Sequence, residues 1–169
     1  MKRLVLILAL MLSFTAASAQ NYAVVNSEKI FKSIAAYNEA ITQLDQLAEK
    51  YQKEVDAKFE QIETLYNNYM QRRASLSEAS QKANEDNILR LEQEATEYQE
   101  SLFGTDGELM KKRLELIQPI QKRVFAAIEE YAKAKELDMI IDTAQNETML
   151  YHSAKADHTE AIIAILNTK

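Results

Sequence analysis

The run IAAYNEAITQLDQLAEKYQKEVDAKFEQIETLYNNYMQRRASL, residues 34–76, decides how the chain folds. Every seventh residue from Ile34 is apolar: Ile34, Ile41, Ala48, Val55, Ile62, Tyr69 and Leu76. In the row three positions further on, Tyr37, Leu44, Tyr51 and Leu65 are apolar, and Lys58 and Arg72 are not. A period of about 3.5 residues keeps one narrow apolar seam turned toward a partner helix over many turns. So narrow a stripe builds no globular core alone, and the predicted helix needs a second helix against it.

The partner follows in the chain. Ile88, Leu91, Ala95, Tyr98, Leu102 and Leu109 run in one heptad phase, and Ile117, Ile120, Val124, Ala127, Tyr131 and Ala134 in another. Two long helices folded against each other therefore fill Ile34 to Tyr131. The hairpin tip falls at 74–80, where three serines break the heptad and offer helix caps. An outward arm of roughly 45 residues would be about 65 to 70 Å long. The step from Leu109 to Ile117 is one residue longer than a heptad, and Gly104 and Gly107 sit just before it. Two readings stand: local unwinding or a bulge that makes a hinge, or a plain break between helices with Asp106 capping the second. In both the arm bends or flexes there, since glycine costs about 1 kcal/mol relative to alanine inside a helix. Pro119 is a second weak point and hinge candidate, because it removes the hydrogen bond to the carbonyl of Glu115.

The ends of the chain differ in character. Residues 1–19 carry a basic Lys2-Arg3, an apolar run from Leu4 to Phe14 and a small-residue site, Ala17-Ser18-Ala19, and read as a signal peptide cleaved after Ala19. Its removal takes two of 20 basic residues and none of 26 acidic ones, leaving 18 against 26, a formal charge of −8. That charge speaks against nucleic acid as a partner. With no cysteine, the exported chain has no disulfide or thiolate site. Tyr22 to Asn26 reads as a strand ending in a helix cap, Leu137–Asp142 and Thr148–His152 as two further strands, and Asp157-His158-Thr159-Glu160 as a capping-box start with Asp157 as N-cap. The resulting division is a discontinuous β-rich body from 20–36 and 137–169 and a helical hairpin arm from 37–136.

No catalytic constellation, metal cluster or phosphate loop can be written from two histidines, two glycines and no cysteine, so no enzyme, cofactor, metal or nucleotide is expected. Phe59, Tyr66, Met70, Leu89, Phe103 and Met110 lie beside the seams. The plainer reading is that they widen the core stripe, above all Phe59 and Tyr66. The functional one is a second apolar surface able to adapt to many ligands. Arg72 and Arg73 near the tip read as a solvated end or as an attraction for anions.

Val24-Val25-Asn26 with Ile30-Phe31, Leu137-Asp138-Met139-Ile140-Ile141-Asp142, Leu150-Tyr151 and Asp157-x-Thr159 resemble the Skp (OmpH-like) periplasmic chaperones. The resemblance spans the mature chain in layout, with its specific residues at the two ends. It implies a mainly α fold: a coiled-coil tentacle on a β-rich trimerisation body made of the N-terminal strand, two C-terminal strands and a C-terminal helix. Val24, Val25, Ile140, Ile141 and Leu150 would form the homotrimer's body and the off-seam residues would line a cavity between arms. The implied function is an ATP-independent periplasmic holdase that keeps unfolded outer-membrane proteins from aggregating. The family's best-known member is strongly basic, whereas this chain is acidic, so a lipopolysaccharide site is not carried over. The alternative is a structural or adaptor coiled-coil protein of the cell envelope with a fixed partner.

Overall fold

A computed structural model describes residues 21–146 and 148–168, and the expected signal peptide lies outside them. The order is β1 (Tyr22–Val25), α1 (Ser27–Lys32), α2 (Ala35–Arg72), a short 3-10 turn (Arg73–Ser75), α3 (Glu78–Phe103), α4 (Glu108–Ala134), β2 (Met139–Asp142) and α5 (Thr159–Thr168). The fold is mainly helical, with a long hairpin and one small parallel strand pair. It divides into two compact units, Ala35–Lys122 and the two chain ends, up to Ile34 and from Arg123.

In the first unit α2 packs against α3 and the start of α4 through three clusters. Ile62, Tyr69, Ile88 and Ala95 form the one nearest the turn, Tyr51, Val55 and Leu102 the middle one, and Ala40, Leu44 and Ile117 the third. The serine-rich segment reverses the chain: Ser77 caps α3, its Oγ accepting from the Ser80 amide at 3.3 Å. Gln81 Nε2 donates to the carbonyls of Arg73 and Leu76, each at 3.1 Å, and so occupies acceptors the helix end leaves open.

The hairpin departs from the sequence reading in three respects. The outward helix has 38 residues, about 57 Å, because Ser33 ends α1, its Oγ donating to the Ile30 carbonyl at 2.7 Å. Beyond Val55 only every seventh residue is buried, and Lys58, Leu65 and Arg72 stay exposed. A straight helix drifts about 20° per heptad from a 3.5 repeat, which turns that second row outward. Finally, the phase step is not absorbed by unwinding or a bulge. Leu109 packs with both the middle cluster and the one beyond it, so the heptad crosses the glycines intact. The extra residue is taken up inside α4, which is helical without interruption through Pro119. Leu109 to Ile120 is an eleven-residue spacing, near 3.67 residues per turn, which a helix accommodates unbroken.

The two glycines make a tight junction between α3 and α4. Gly104, extended at φ −61° and ψ 171°, ends α3. A Cβ there would stand 2.5 Å from the Glu100 carbonyl oxygen, and one on the buried Gly107 2.7 Å from that of Leu102. The Gly107 amide donates to Gly104 O at 2.9 Å, and its carbonyl accepts from Lys111 at 3.1 Å. Gly107, and not Asp106, thus holds the cap position of α4.

In the second unit β1 pairs in parallel with β2, Tyr22 opposite Met139 through Val25 opposite Asp142. On its other edge the Val24 amide donates to Ala156 O at 2.7 Å and Val24 O accepts from His158 at 2.9 Å. Ala23, Val24, Val25, Ile30, Val124, Ala127, Ile162 and Leu166 are buried. Carboxylates hold the ends of β1: Asp138 accepts from the Asn21 amide and Asp142 from that of Ser27, both at 3.0 Å. Buried Thr159 donates its hydroxyl to Asp157 at 2.6 Å and accepts the Asn26 amide at 2.9 Å. α5 starts at Thr159, so Asp157 caps its first amide from two residues upstream, at 3.0 Å. Of the two C-terminal strands expected, only Met139–Asp142 forms. Thr148–His152 is not a strand: Asn146 closes local turns with Thr148 and Met149, and the edge of β1 away from β2 is taken by Ala156 and His158.

Gly107→Ala should lower unfolding free energy by about 1 to 3 kcal/mol, the scale of overpacking, in urea denaturation of the mature protein. Asp106→Ala should change it by less than about 0.5 kcal/mol.

Candidate functional site

Three of the six off-seam residues come together. Tyr66, Met70 and Leu89 line a groove of about 410 Å³ between α2 and α3, with Tyr69, Arg73, Glu85, Ile88 and Glu92. α3 contributes residues i, i+3, i+4 and i+7, which share one face of an α-helix: Glu85, Ile88, Leu89 and Glu92; α2 contributes Tyr66, Tyr69 and Met70 at the matching spacing, and Arg73 follows from the 3-10 turn at its end. Tyr69 and Ile88 are buried, whereas Tyr66, Met70 and Leu89 are 48%, 46% and 63% exposed. The groove is an apolar trough with polar ends. Arg73 and Glu85 pair at 3.5 Å at the end nearer the turn, and Tyr69 donates its hydroxyl to Glu85. At the other end the exposed Glu92 carboxylate takes no hydrogen bond or ion pair from the described residues.

The other three candidates are elsewhere. Phe59 and Met110 are 38% and 40% exposed and do not line this groove. Phe103 is half-buried, its ring edge-on to Tyr51 with centroids 6.2 Å apart, and so widens the seam. The sequence reading missed Tyr69, Ile88, Glu85 and Glu92 as groove walls. The matched i, i+3, i+4, i+7 sets would have marked them had the faces beside the seam been compared across both helices. Among the body candidates Val24 and Val25 are buried within their own chain, Ile140 and Ile141 are half-buried, and Leu150 is 95% exposed. Tyr151, Tyr22 and Met139 are exposed as well, and Tyr22, Met139 and Ile141 line a second hollow of about 470 Å³.

Three seam tyrosines reach across the hairpin to carboxylates. Tyr51 donates to Glu108 at 2.9 Å, Tyr98 to Glu54 at 2.6 Å, and Tyr69 to Glu85. Burial, then the bond to Glu108, pushes the Tyr51 phenol above its ordinary pKa. For Tyr69 and Tyr98 the bonds to Glu85 and Glu54 come first, with burial next. Each carboxylate accepts only from the protonated phenol, so the bonds favour the neutral form. Among the described residues no three His, Asp or Glu side chains are grouped to hold a metal ion. No helix among them is long and apolar enough to cross a membrane.

Residues 21–166 match the family described as Outer membrane protein (OmpH-like). The chain belongs to the OmpH-like family. A protein of Aquifex aeolicus (strain VF5) described as uncharacterized is similar, 26% identical over 148 residues that cover 87% of this chain and 86% of the relative. The crystal structure of a protein assigned as an OmpH-like outer membrane chaperone from Caulobacter crescentus CB15 shares the fold, with a TM-score of 0.65 at 9% identity. The match covers 90% of this chain and 87% of that one. OmpH-like proteins are chaperones and not enzymes, so the expectation of no catalytic function rests on family membership.

Raised phenol pKa values give a signed pH dependence. The stabilisation is complete below about pH 10, where the unfolded phenols start to ionise, and is lost as pH rises through the higher folded values. Replacing Tyr51, Tyr69 and Tyr98 by Phe should lower the melting temperature at pH 8 and flatten its decline above pH 10, read by circular dichroism. An equal alkaline decline in both proteins would remove these phenols as its cause.

Proposed function

We propose that the protein is an ATP-independent holdase of the periplasm that binds unfolded outer-membrane proteins between the helical arms of a homotrimer and keeps them from aggregating. OmpH-like family membership supports the chaperone role, and the groove at Tyr66, Met70 and Leu89 carries the mechanism. A hairpin that leaves aromatic and Met side chains unpacked beside its seam offers weak apolar contacts of no fixed geometry. Such contacts suit clients that share no folded shape. Phe59, Phe103 and Met110 extend the candidate surface in this reading, and Gly104, Gly107 and Pro119 remain its hinge candidates.

Self-association rests on the chain ends. Leu150 and Tyr151 are 95% and 84% exposed, and Tyr22 and Met139, opposite each other on β1 and β2, expose large apolar side chains as well. Large apolar side chains left exposed in this way invite a second chain. Val24, Val25, Ile140 and Ile141 would then supply the trimer body from inside and Leu150 from outside.

On dilution of a urea-unfolded outer-membrane β-barrel into the mature protein, light scattering should be suppressed without nucleotide. No suppression at molar excess of trimer would sink the holdase. The adaptor alternative predicts one stoichiometric partner and indifference to unfolded chains. Light-scattering mass should report a trimer, and Leu150→Ser with Tyr151→Ser should shift it to monomer with the helical signal kept.

A further inference from the structure

We infer that the groove between α2 and α3 selects client segments in which an aromatic or aliphatic side chain is flanked by lysine or arginine. This rests on the holdase reading and adds the class of segment bound. The groove runs from Tyr66 to Arg73 on one side and from Glu85 to Glu92 on the other, about 10 Å, room for roughly three residues of extended chain. Its walls, Tyr66, Met70 and Leu89 over Ile88, accept one large apolar side chain.

Charge decides what sits beside that side chain. The one cation of the groove, Arg73, is engaged by Glu85 at 3.5 Å and lies over the Tyr69 ring at 6.0 Å. The Glu92 carboxylate, at the other end, has no partner among the described residues and is the charge left to meet an occupant. The surroundings have the same sign. α3 carries seven acidic residues, Glu78, Glu85, Asp86, Glu92, Glu94, Glu97 and Glu100, against Lys82 and Arg90. An anionic segment entering the groove would meet repulsion from this helix and leave Glu92 unpaired, whereas a cation next to the apolar anchor would pair with it. Like charges facing each other discriminate as effectively as opposite charges attract.

Two short synthetic peptides test this with the full mature protein: an unstructured Phe- and Leu-containing sequence with flanking lysines, and its twin with glutamates. Fluorescence anisotropy at low salt should show the lysine peptide bound several-fold more tightly, the range of one or two exposed ion pairs at about 1.5- to 5-fold each. The preference should shrink at high salt, fall with Glu92→Gln and fall further or reverse with Glu92→Lys. Leu89→Ser should weaken both peptides while the mass in solution is unchanged.

Equal or tighter binding of the glutamate peptide overturns the inference, as does a preference untouched by Glu92→Gln. If Leu89→Ser leaves both affinities unchanged and lowers the mass of the assembly, a second copy of the chain fills the groove and the inference also falls. These results are separable from failure of the holdase reading, in which the unfolded β-barrel itself is not held. A protein that holds the β-barrel but prefers the glutamate peptide loses only the present inference.

Discussion

A parallel pair of four-residue strands whose members are 117 residues apart in the chain is the constraint on which the molecule depends. Closing a flexible loop of that length costs about 4 kcal/mol in the logarithmic term alone, more than so short a ladder returns. Parallel strands also need a crossover, since no tight turn can join them. A chain that runs out along α2 and back along α3 and α4 is that crossover, and its ordering is supported by its own seam. Side-chain bonds then secure the join: Asp138 and Asp142 at the two ends of β1, and the Asp157–Thr159–Asn26 relay on its other edge. Thr159 is the buried polar residue of this unit because it satisfies a donor and an acceptor that the closure would otherwise strand.

The seam has an equally direct consequence for function. Where only every seventh residue of α2 is buried, the neighbours of that row cannot all be covered by one partner helix. Tyr66 and Met70 flank buried Tyr69, and Leu89 flanks buried Ile88. The apolar groove is thus a by-product of how narrowly two antiparallel helices meet. The tyrosines let a narrow seam hold its register: Tyr51 and Tyr69 are buried in the row and Tyr98 half-buried beside it, and each extends its hydroxyl to a carboxylate on the opposite helix. Tyr98 also receives the Lys58 ammonium over its ring, at 4.7 Å, so a charged residue in a seam position is put to use at the edge.

The glycine pair and the phase step, adjacent in the chain, are separate devices. The glycines allow α3 and α4 to meet with backbone atoms closer than any Cβ would permit. The added residue is spread through an unbroken α4, where an eleven-residue spacing needs little change in twist. Flexing at this point would have to open the Gly107–Gly104 hydrogen bond and part Gly107 from Leu102.

Much of the fold was legible in the sequence because period and punctuation are local. The heptads gave two helices and their facing sides, the serines gave the turn, Asn26 gave a cap, and the apolar runs at 22–25 and 139–142 gave the strands that pair. The residues at the two ends that carry the family likeness, Asn26, Asp138, Asp142, Asp157 and Thr159, turn out to be those that close the chain on itself. What the sequence could not decide depends on neighbours distant in the chain. Lys58 and Leu65 leave the seam because drift accumulates along the helix, Phe103 joins the core because Tyr51 stands opposite it, and the edge of β1 that Thr148–His152 could have joined is held by Ala156 and His158. Only the tertiary structure assembled the groove, since its residues come from two helices running in opposite directions and from the turn that ends the first, and their adjacency is set by the register of the hairpin. Periodicity says which side of a helix is buried; which exposed residues meet beside it is decided by packing across the turn.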